Sequence, residues 1–135
     1  MKLKIYTDGG ARNNPGPAGI GVFITDENGK PLERRHKYLG IATNNQAEYQ
    51  GALHGIRRGI ELGATEIELR MDSKLVVEQL SGNFKIKNPE LKIIFREIQD
   101  LLEAWCGRIQ HIHIRREHNG EADRLSNVAM DEGTR

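Results

Sequence analysis

The sequence predicts an α/β fold in which a five-stranded mixed sheet carries helices on both faces. Two observations predict it. Three runs with strand-like patterning come first and are joined by short turn signals, and helical runs then alternate with strand-like runs from residue 44 onward. The resulting order is β-β-β-α-β-α-α-β-α, a meander followed by strands that are entered through helices. This order indicates that the later strands run parallel to the first.

Alternation of apolar and polar side chains identifies the strands. In the first strand, residues 2–8, Leu3 and Ile5 alternate with polar neighbours, and Asp8 is expected to end the strand. The second and third strands flank an Asn-Gly pair, which is a strong hairpin signal. The same patterning predicts the remaining strands, which are residues 18–25, 30–39, 65–72 and 108–115.

Apolar residues at helical spacing, together with start and stop signals, predict four helices at residues 44–62, 73–80, 89–105 and 119–130. Gly63 has the place of the glycine that ends a helix, and Pro89 suits a first turn. Residues 131–135 are expected to form a frayed tail. Residues 1–130 are then expected to form a single domain.

Composition limits the classes of function. A chain of 135 residues, 37% of them hydrophobic, has the size of one domain with one core. Lys plus Arg number 20 and Asp plus Glu 19, so the net charge of +1 indicates no nucleic-acid or membrane partner by itself. Cys106 is the only cysteine; it excludes an internal disulfide, favours the reducing cytoplasm, and is expected to be a packing residue. With no apolar leader and no apolar run of 18 residues, neither export nor a membrane partner is expected.

Four carboxylates occupy positions that can converge. Asp8 and Asp72 follow the first and fourth strands at their carboxyl ends, where the functional crevice of an open α/β sheet lies. Glu48 stands near the start of the first helix, on a stripe of small residues that would let the helix approach the sheet. Asp123 stands near the start of the last helix.

Each of these carboxylates also has an ordinary structural explanation. Asp8 can open a turn before two glycines, Glu48 can complete a capping box with Asn45, and Asp72 can be an N-cap. Asp123 can belong to a solvated helix face. Clustered without cations, however, the four charges would repel one another, and oxygen-only donors suit Mg²⁺ or Mn²⁺. The group therefore favours phosphoryl-transfer chemistry on a metal site.

Four segments in this order resemble the motif regions of type 1 ribonucleases H: IYTDGGARNNPGPAG, TNNQAEY, RMDSKLVVEQL and HNGEADRLSN. The resemblance covers about residues 3 to 130 and implies the ribonuclease H-like fold. It implies hydrolysis of the RNA strand of an RNA/DNA hybrid, leaving a 5′-phosphate and a 3′-hydroxyl. It also implies that two Mg²⁺ ions bind with substrate, with Mn²⁺ as a substitute, at Asp8, Glu48, Asp72 and Asp123.

The same resemblance implies substrate contacts at Asn14, Thr43, Asn44, Gln46 and Lys74. Carboxamides can donate to and accept from the 2′-hydroxyl that distinguishes RNA from DNA, and Thr43 would hold a phosphate of the DNA strand. Turn and cap chemistry is the alternative explanation for these Asn and Thr residues. His118 is the candidate for the histidine that assists turnover in this family, whereas His111 and His113 are interpreted as structural or surface residues.

A departure from the fuller family pattern keeps other functions open. Some members carry a long basic protrusion between the second and third helices, but here only residues 81–88 stand there, with Lys85 and Lys87 as cations. Affinity for the hybrid is therefore expected to be modest. A protrusion-free chain could instead cleave double-stranded or structured RNA, since the A-form shape is partly shared. A non-catalytic nucleic-acid-binding module is the third alternative. The protein is expected to be a monomer.

Overall fold

The structure is a computed structural model that describes all residues from 1 to 135. Its elements in chain order are β1 (Lys2–Ala11), β2 (Gly16–Asp26), β3 (Pro31–Ala42), α1 (Asn44–Glu61), β4 (Glu66–Met71), α2 (Lys74–Leu80), α3 (Pro89–Ala104), β5 (Arg108–His113) and α4 (Gly120–Gly133). A short 3-10 turn at Arg116–His118 precedes α4. The predicted order of strands and helices is confirmed.

The five strands form one mixed sheet in the order β3-β2-β1-β4-β5. The first three pair antiparallel, whereas β4 runs parallel to β1 and β5 parallel to β4, as the sequence predicts. Pairing of β1 with β4 ends at Tyr6 and Arg70, but pairing of β1 with β2 continues to Ala11 and Ala18. Because β2 still supplies backbone partners there, β1 extends beyond Asp8. The prediction that Asp8 ends the strand is wrong, and so is the alternative that it opens a turn.

Helices cover both faces of the sheet, also as predicted. Successive strand residues point to opposite faces: on β2, Val22 lies against α1, and the neighbouring Gly21 lies against α4. The main core fills the α1 side, where Leu3 of β1, Leu69 of β4 and Ile98 of α3 are fully buried.

Two glycines determine how closely the helices approach the sheet. A Cβ atom added at Gly9 of β1 would lie 2.2 Å from the carbonyl oxygen of Ala47 in α1. A Cβ atom added at Gly21 of β2 would lie 2.1 Å from the carbonyl oxygen of Ala122 in α4. Both distances are too short for any side chain, so each helix rests directly on the strand backbone.

The ends of the elements mostly match the prediction. Gly63 follows α1 with φ of +94°, as expected for the residue that ends a helix. Helix α4 continues to Gly133, beyond the predicted end at Met130, and packs there against the ring of Tyr38. Cys106 is exposed, so its prediction as a packing residue is wrong: it lies between α3 and β5, outside both elements. No helix is both long enough and apolar enough to cross a bilayer.

Candidate active site

Three carboxylates meet at the edge of the sheet where β4 ends. Asp8 lies on β1, Glu48 on α1, and Asp72 directly after β4. One carboxylate oxygen from each lies within 4.8 Å of those of the other two. The parallel pairing of β1 with β4 brings Asp8 and Asp72 to the same end of the sheet. The cluster therefore joins residues that are far apart in the sequence.

The start of α1 leaves Glu48 available to this cluster. Thr43 is the N-cap: its hydroxyl accepts from the backbone N–H of Gln46, and its own N–H donates to the Gln46 side chain. The capping box is therefore formed by Thr43 and Gln46, and the alternative pairing of Asn45 with Glu48 is wrong. Glu48 is only 7% exposed, and its carboxylate accepts from the backbone N–H of Gly9.

Close packing of α1 holds Glu48 against β1. On the same helix face, a Cβ atom at Gly55 would lie 2.7 Å from Cγ2 of Thr7, and one at Gly59 would lie 2.6 Å from Cδ1 of Ile5. The predicted stripe of small residues thus lets the helix lie directly on the strand, as expected.

Asp72 is held by a side chain that lies 47 residues further along the chain. Ser73 is the N-cap of α2, so the interpretation of Asp72 as that cap is wrong. Instead, Asp72 Oδ2 lies 3.1 Å from Nδ2 of Asn119, which also donates to the carbonyl oxygen of Thr7 at 3.0 Å. Asn119 is 1% exposed, and these bonds fix it between β1 and Asp72.

Asp123 lies at the rim of the cluster rather than within it. Its side chain is exposed, but its charge is close enough to contribute to raising the pKa of Asp8. The hydroxyl of Ser126 lies 3.0 Å from Asp8 Oδ2 and 2.8 Å from the carbonyl oxygen of Asp123. Its single proton can serve only one of these acceptors at a time. Ser126 thereby connects α4 to the Asp8 carboxylate.

The cluster carries negative charge that the chain does not neutralise. Burial raises the pKa of Asp8 to about 7, and the neighbouring charge of Asp72 adds to the effect. Burial, followed by the charge of Asp8, raises the pKa of Glu48 well above its usual range. No Lys, Arg or His forms an ion pair with these three carboxylates. Oxygen-only donors with surplus negative charge fit a hard divalent cation such as Mg²⁺ or Mn²⁺.

Two of the candidate substrate residues join the β1–β2 loop to α1. Asn14 Oδ1 accepts from the backbone N–H of Asn44 at 2.9 Å, and Asn44 Oδ1 accepts from that of Ala11 at 2.8 Å. Both Asn side chains thus use their oxygen within the protein, while their NH₂ groups donate to no protein atom. Both residues are exposed. At each position the side-chain oxygen therefore has a local structural role, while the NH₂ group remains available to a ligand.

The other candidates differ in their availability. Both ends of the Gln46 carboxamide are engaged, because its oxygen accepts from Thr43 and its nitrogen donates to Glu90. Lys74 is exposed at the start of α2 and forms no ion pair. Among the predicted contacts, Gln46 is the one that would have to break a protein hydrogen bond to donate to a ligand.

The histidines divide as the sequence suggests. His118 is exposed in the 3-10 turn and lines a small cavity of about 170 Å³ beside Asn119. His111 is largely buried, and this burial lowers its pKa to about 4, whereas His113 is exposed. Neither His111 nor His113 belongs to the carboxylate cluster.

Sequence reasoning missed two residues that hold the carboxylates, Asn119 and Ser126. A signal for both was present in the spacing. Asn119 precedes Asp123 by four residues and Ser126 follows it by three, which is the spacing of neighbours on one helix face. Polar residues at those offsets from a candidate carboxylate could have been predicted to contact the site.

The sheet order and the acidic cluster at its edge define a ribonuclease H-like fold, and comparisons with known proteins agree. The profile of the Reverse transcriptase-like family matches residues 6–129. The chain is 46% identical over 132 residues to the Bifunctional protein Rv2228c of Mycobacterium tuberculosis, covering 97% of this chain and 36% of that protein. It is 31% identical to the Ribonuclease H of Erythrobacter litoralis, covering 96% of each.

Among solved structures, LC11-RNase H1 in complex with an RNA/DNA hybrid superposes with a TM-score of 0.94 at 43% identity, covering 98% of this chain and 99% of that one. The chain therefore belongs to the type 1 ribonuclease H family, within the reverse transcriptase-like group. It spans about a third of the length of its relative Rv2228c.

Proposed function

We propose that the protein is a ribonuclease H, an endonuclease that hydrolyses the RNA strand of RNA/DNA hybrids with two divalent ions and leaves 5′-phosphate and 3′-hydroxyl ends. The observation that carries this proposal is the cluster of Asp8, Glu48 and Asp72, which brings three carboxylates within 4.8 Å of one another with no cation from the chain. Binding of an RNA/DNA hybrid by the similar LC11-RNase H1 supports the choice of substrate.

The four carboxylates would hold Mg²⁺, or Mn²⁺ in its place. Asp8, Glu48 and Asp72 would hold the ions at the carboxyl end of the sheet, and Asp123 would contribute from α4. When bound, the ions supply charge neutralisation for the attacking water, the scissile phosphate and the leaving 3′ oxygen. A bound divalent cation would lower the pKa values of Asp8 and Glu48, because it favours the ionised carboxylate.

Neighbouring side chains would orient the carboxylates and the substrate. Asn119 fixes one oxygen of Asp72, and Ser126 holds one oxygen of Asp8, so their remaining oxygens are left for ligation. The free NH₂ groups of Asn14 and Asn44 would donate to 2′-hydroxyls across the minor groove. His118 would exchange protons near the leaving group. The single exposed cysteine supports a reducing, cytoplasmic compartment, and we infer a monomer.

The test is one cleavage assay on three labelled duplexes: an RNA/DNA hybrid, double-stranded RNA and double-stranded DNA. Each is incubated with Mg²⁺, Mn²⁺ or EDTA. We expect cleavage of the hybrid alone, only with metal, into products whose mobility changes on phosphatase treatment of a 5′-phosphate. Cleavage in EDTA would contradict the metal mechanism, and equal cleavage of double-stranded RNA would contradict hybrid specificity.

A further inference from the structure

A groove lies along α1 on the side of the edge strand β3. Two adjoining cavities form it, with volumes of about 530 and 500 Å³. Lys37, His54 and Arg57 line both cavities, so the two join at these residues. One cavity reaches Glu61 at the end of α1, and the other reaches Gln46 near its start. The groove, called here the β3–α1 groove, therefore runs almost the full length of the helix.

The wall of this groove carries cations that the protein leaves unpaired. Arg35 and Arg58 both pair with Glu33. Lys37 on β3 and Arg57 on α1 are exposed and have no carboxylate within ion-pair distance. Since the whole chain has a net charge of only +1, this local surplus is a property of the groove.

His54 shows that the two cations act on one place. Its side chain is partly buried, and burial, followed by the charges of Lys37 and Arg57, lowers its pKa to about 4. At neutral pH the histidine is therefore uncharged. Lys37 on β3 and Arg57 on α1 also line both cavities, so the two walls of the groove each carry a cation where an anion would enter.

We propose that the β3–α1 groove is a second nucleic-acid contact, which binds the phosphate backbone of the substrate duplex outside the cleaved segment. The inference rests on the proposed function. Nine residues of α1 separate Glu48 from Arg57, which is about 13 Å of helix. The contacted phosphates would therefore lie outside the segment that is cleaved.

The composition of the groove favours phosphates over an acidic protein segment. The centre of a protein interface is usually apolar and aromatic. The cavity that reaches Gln46 does have apolar lining residues, namely Tyr38, Leu39, Ala42, Leu53 and Ile94. The cavity that reaches Glu61 has only Ile20 and Val22, and its other lining residues are polar or charged. A pair of exposed cations that have no carboxylate partner is typical of a backbone contact, which gives affinity without sequence preference. It would also supply part of the grip that a basic protrusion gives elsewhere in the family.

The test is binding of a labelled RNA/DNA hybrid of about 20 base pairs, measured by fluorescence anisotropy in EDTA at several salt concentrations. The variant is Lys37→Gln/Arg57→Gln. The control is Lys30→Gln/Lys92→Gln, which removes the same charge outside the groove from two exposed lysines that, like Lys37 and Arg57, form no ion pair. We expect the groove variant to bind about tenfold more weakly at 100 mM salt, and its slope of log affinity against log salt to fall by roughly two units. The control should match the parent.

Three results would overturn the proposal. The first is an unchanged salt slope in the groove variant, and the second is an equal loss in the control, which would reflect bulk charge. The third is retained hybrid affinity with lost binding of poly-glutamate, which would assign the groove to an acidic protein segment. Thermal melting checks that the double variant is folded. If it is not folded, the test is repeated with the single variant Lys37→Gln, which lies on the exposed edge strand.

The failure of this proposal can be told apart from that of the proposed function. Binding is measured without metal, so it reports on the groove even if the parent does not cleave the hybrid. Conversely, a parent that cleaves with Mg²⁺ while the groove variant binds like the control would overturn the groove alone.

Discussion

Strands β1 and β4 carry charged side chains at both ends of the sheet, and the two ends balance that charge differently. At the carboxyl end, Asp8 and Asp72 have no cation of the chain beside them. At the amino end, Lys2 Nζ lies 3.4 Å from Glu66 and 3.0 Å from Glu68. Arg70 and Arg108 add further pairs with these two glutamates.

The pKa values follow this difference. Hydrogen bonds from Lys2 and Arg70 lower the pKa of Glu68, whereas burial and Asp72 raise that of Asp8. The carboxylates of the amino end therefore have their counter-charges within the chain, and this end serves the fold. The carboxylates of the carboxyl end have no such partner in the chain, which agrees with the proposed binding of divalent ions. Clustered carboxylates indicate a metal site when the chain supplies no counter-charge beside them. The amino end of the same two strands shows the opposite case, in which Lys and Arg side chains pair with the carboxylates.

The largest expected effect is at the unneutralised end. Asp8→Asn should lower cleavage of the hybrid by at least about a thousandfold, because several kcal/mol of charge stabilisation by the ions is lost. The fold should persist, since the substitution conserves shape. Steady-state kinetics and calorimetry of Mg²⁺ binding are the measurements. Glu68→Gln is the matched control and should keep both activities.

Two-ion binding with near-normal turnover in Asp8→Asn would contradict the four-carboxylate site. Glu48→Gln should behave like Asp8→Asn, which extends the comparison to the same Glu→Gln change at both ends of the sheet.

The second prediction concerns pH in the metal-free protein. The pKa of Asp8 in the folded state, about 7, lies above its ordinary 3.8. Its contribution to stability is therefore complete below 3.8 and is lost as the pH rises through 7. In EDTA, the free energy of unfolding of the parent should fall relative to Asp8→Asn between pH 4 and 8, by on the order of 3 kcal/mol. Urea titrations of both proteins at each pH measure it.

Glu68→Gln should show the opposite trend, which sharpens the comparison. The lowered pKa of Glu68 means that its contribution is present above its ordinary value of 4.5 and is lost as the pH falls through the folded value. If the stability of the parent relative to Asp8→Asn stayed constant over pH 4 to 8, the pKa of Asp8 would not be raised. Its negative charge would then already be balanced within the chain.

A third, smaller effect is expected at His118, which is exposed beside the carboxyl end. His118→Ala should lower kcat by roughly ten- to a hundredfold with little change in KM, because water can partly replace a general acid or base. Metal binding should be unchanged. Kinetics on one defined hybrid across pH 6 to 9 decide the matter, and equal kcat values over that range would remove His118 from the mechanism.

The smallest effect is expected at the amino end of β1 and β4. Glu68 is buried, but its partners Lys2 and Arg70 are partly exposed, so Glu68→Gln should change the free energy of unfolding by only about 1 kcal/mol. The effect should shrink in 1 M salt, because salt screens such pairs. A loss of several kcal/mol, insensitive to salt, would show that the amino end carries unbalanced charge as well.

Much of the fold and of the cluster could be predicted because local patterns determine them. Alternation of apolar and polar residues predicts the strands, and Gly63 predicts the end of α1. Connection of the later strands through helices predicts the parallel pairing that brings Asp8 and Asp72 together. The length of β1 could not be read in this way, since residues 9–11 are strand only because β2 pairs with them.

Capping and long-range contacts were also beyond local patterns. Thr43 and Gln46 form the capping box, although Asn45 and Glu48 also have residue types that suit one. Cys106 looked like a packing residue by type, but its position between two elements exposes it. The spacing of Asn119 from Asp123 places it near the site, but its hydrogen bond to Asp72 follows only from the tertiary contact.

The close approach at Gly9 and Gly21 has a consequence for transplanting this site to another protein. An engineer who copied the four carboxylates onto a new sheet, but left alanine at either glycine, would introduce a methyl group about 2 Å from a helix carbonyl. The wedge would displace the helix bearing Glu48 or the one bearing Asp123 and Ser126. The specification of the site therefore includes two positions that carry no side chain.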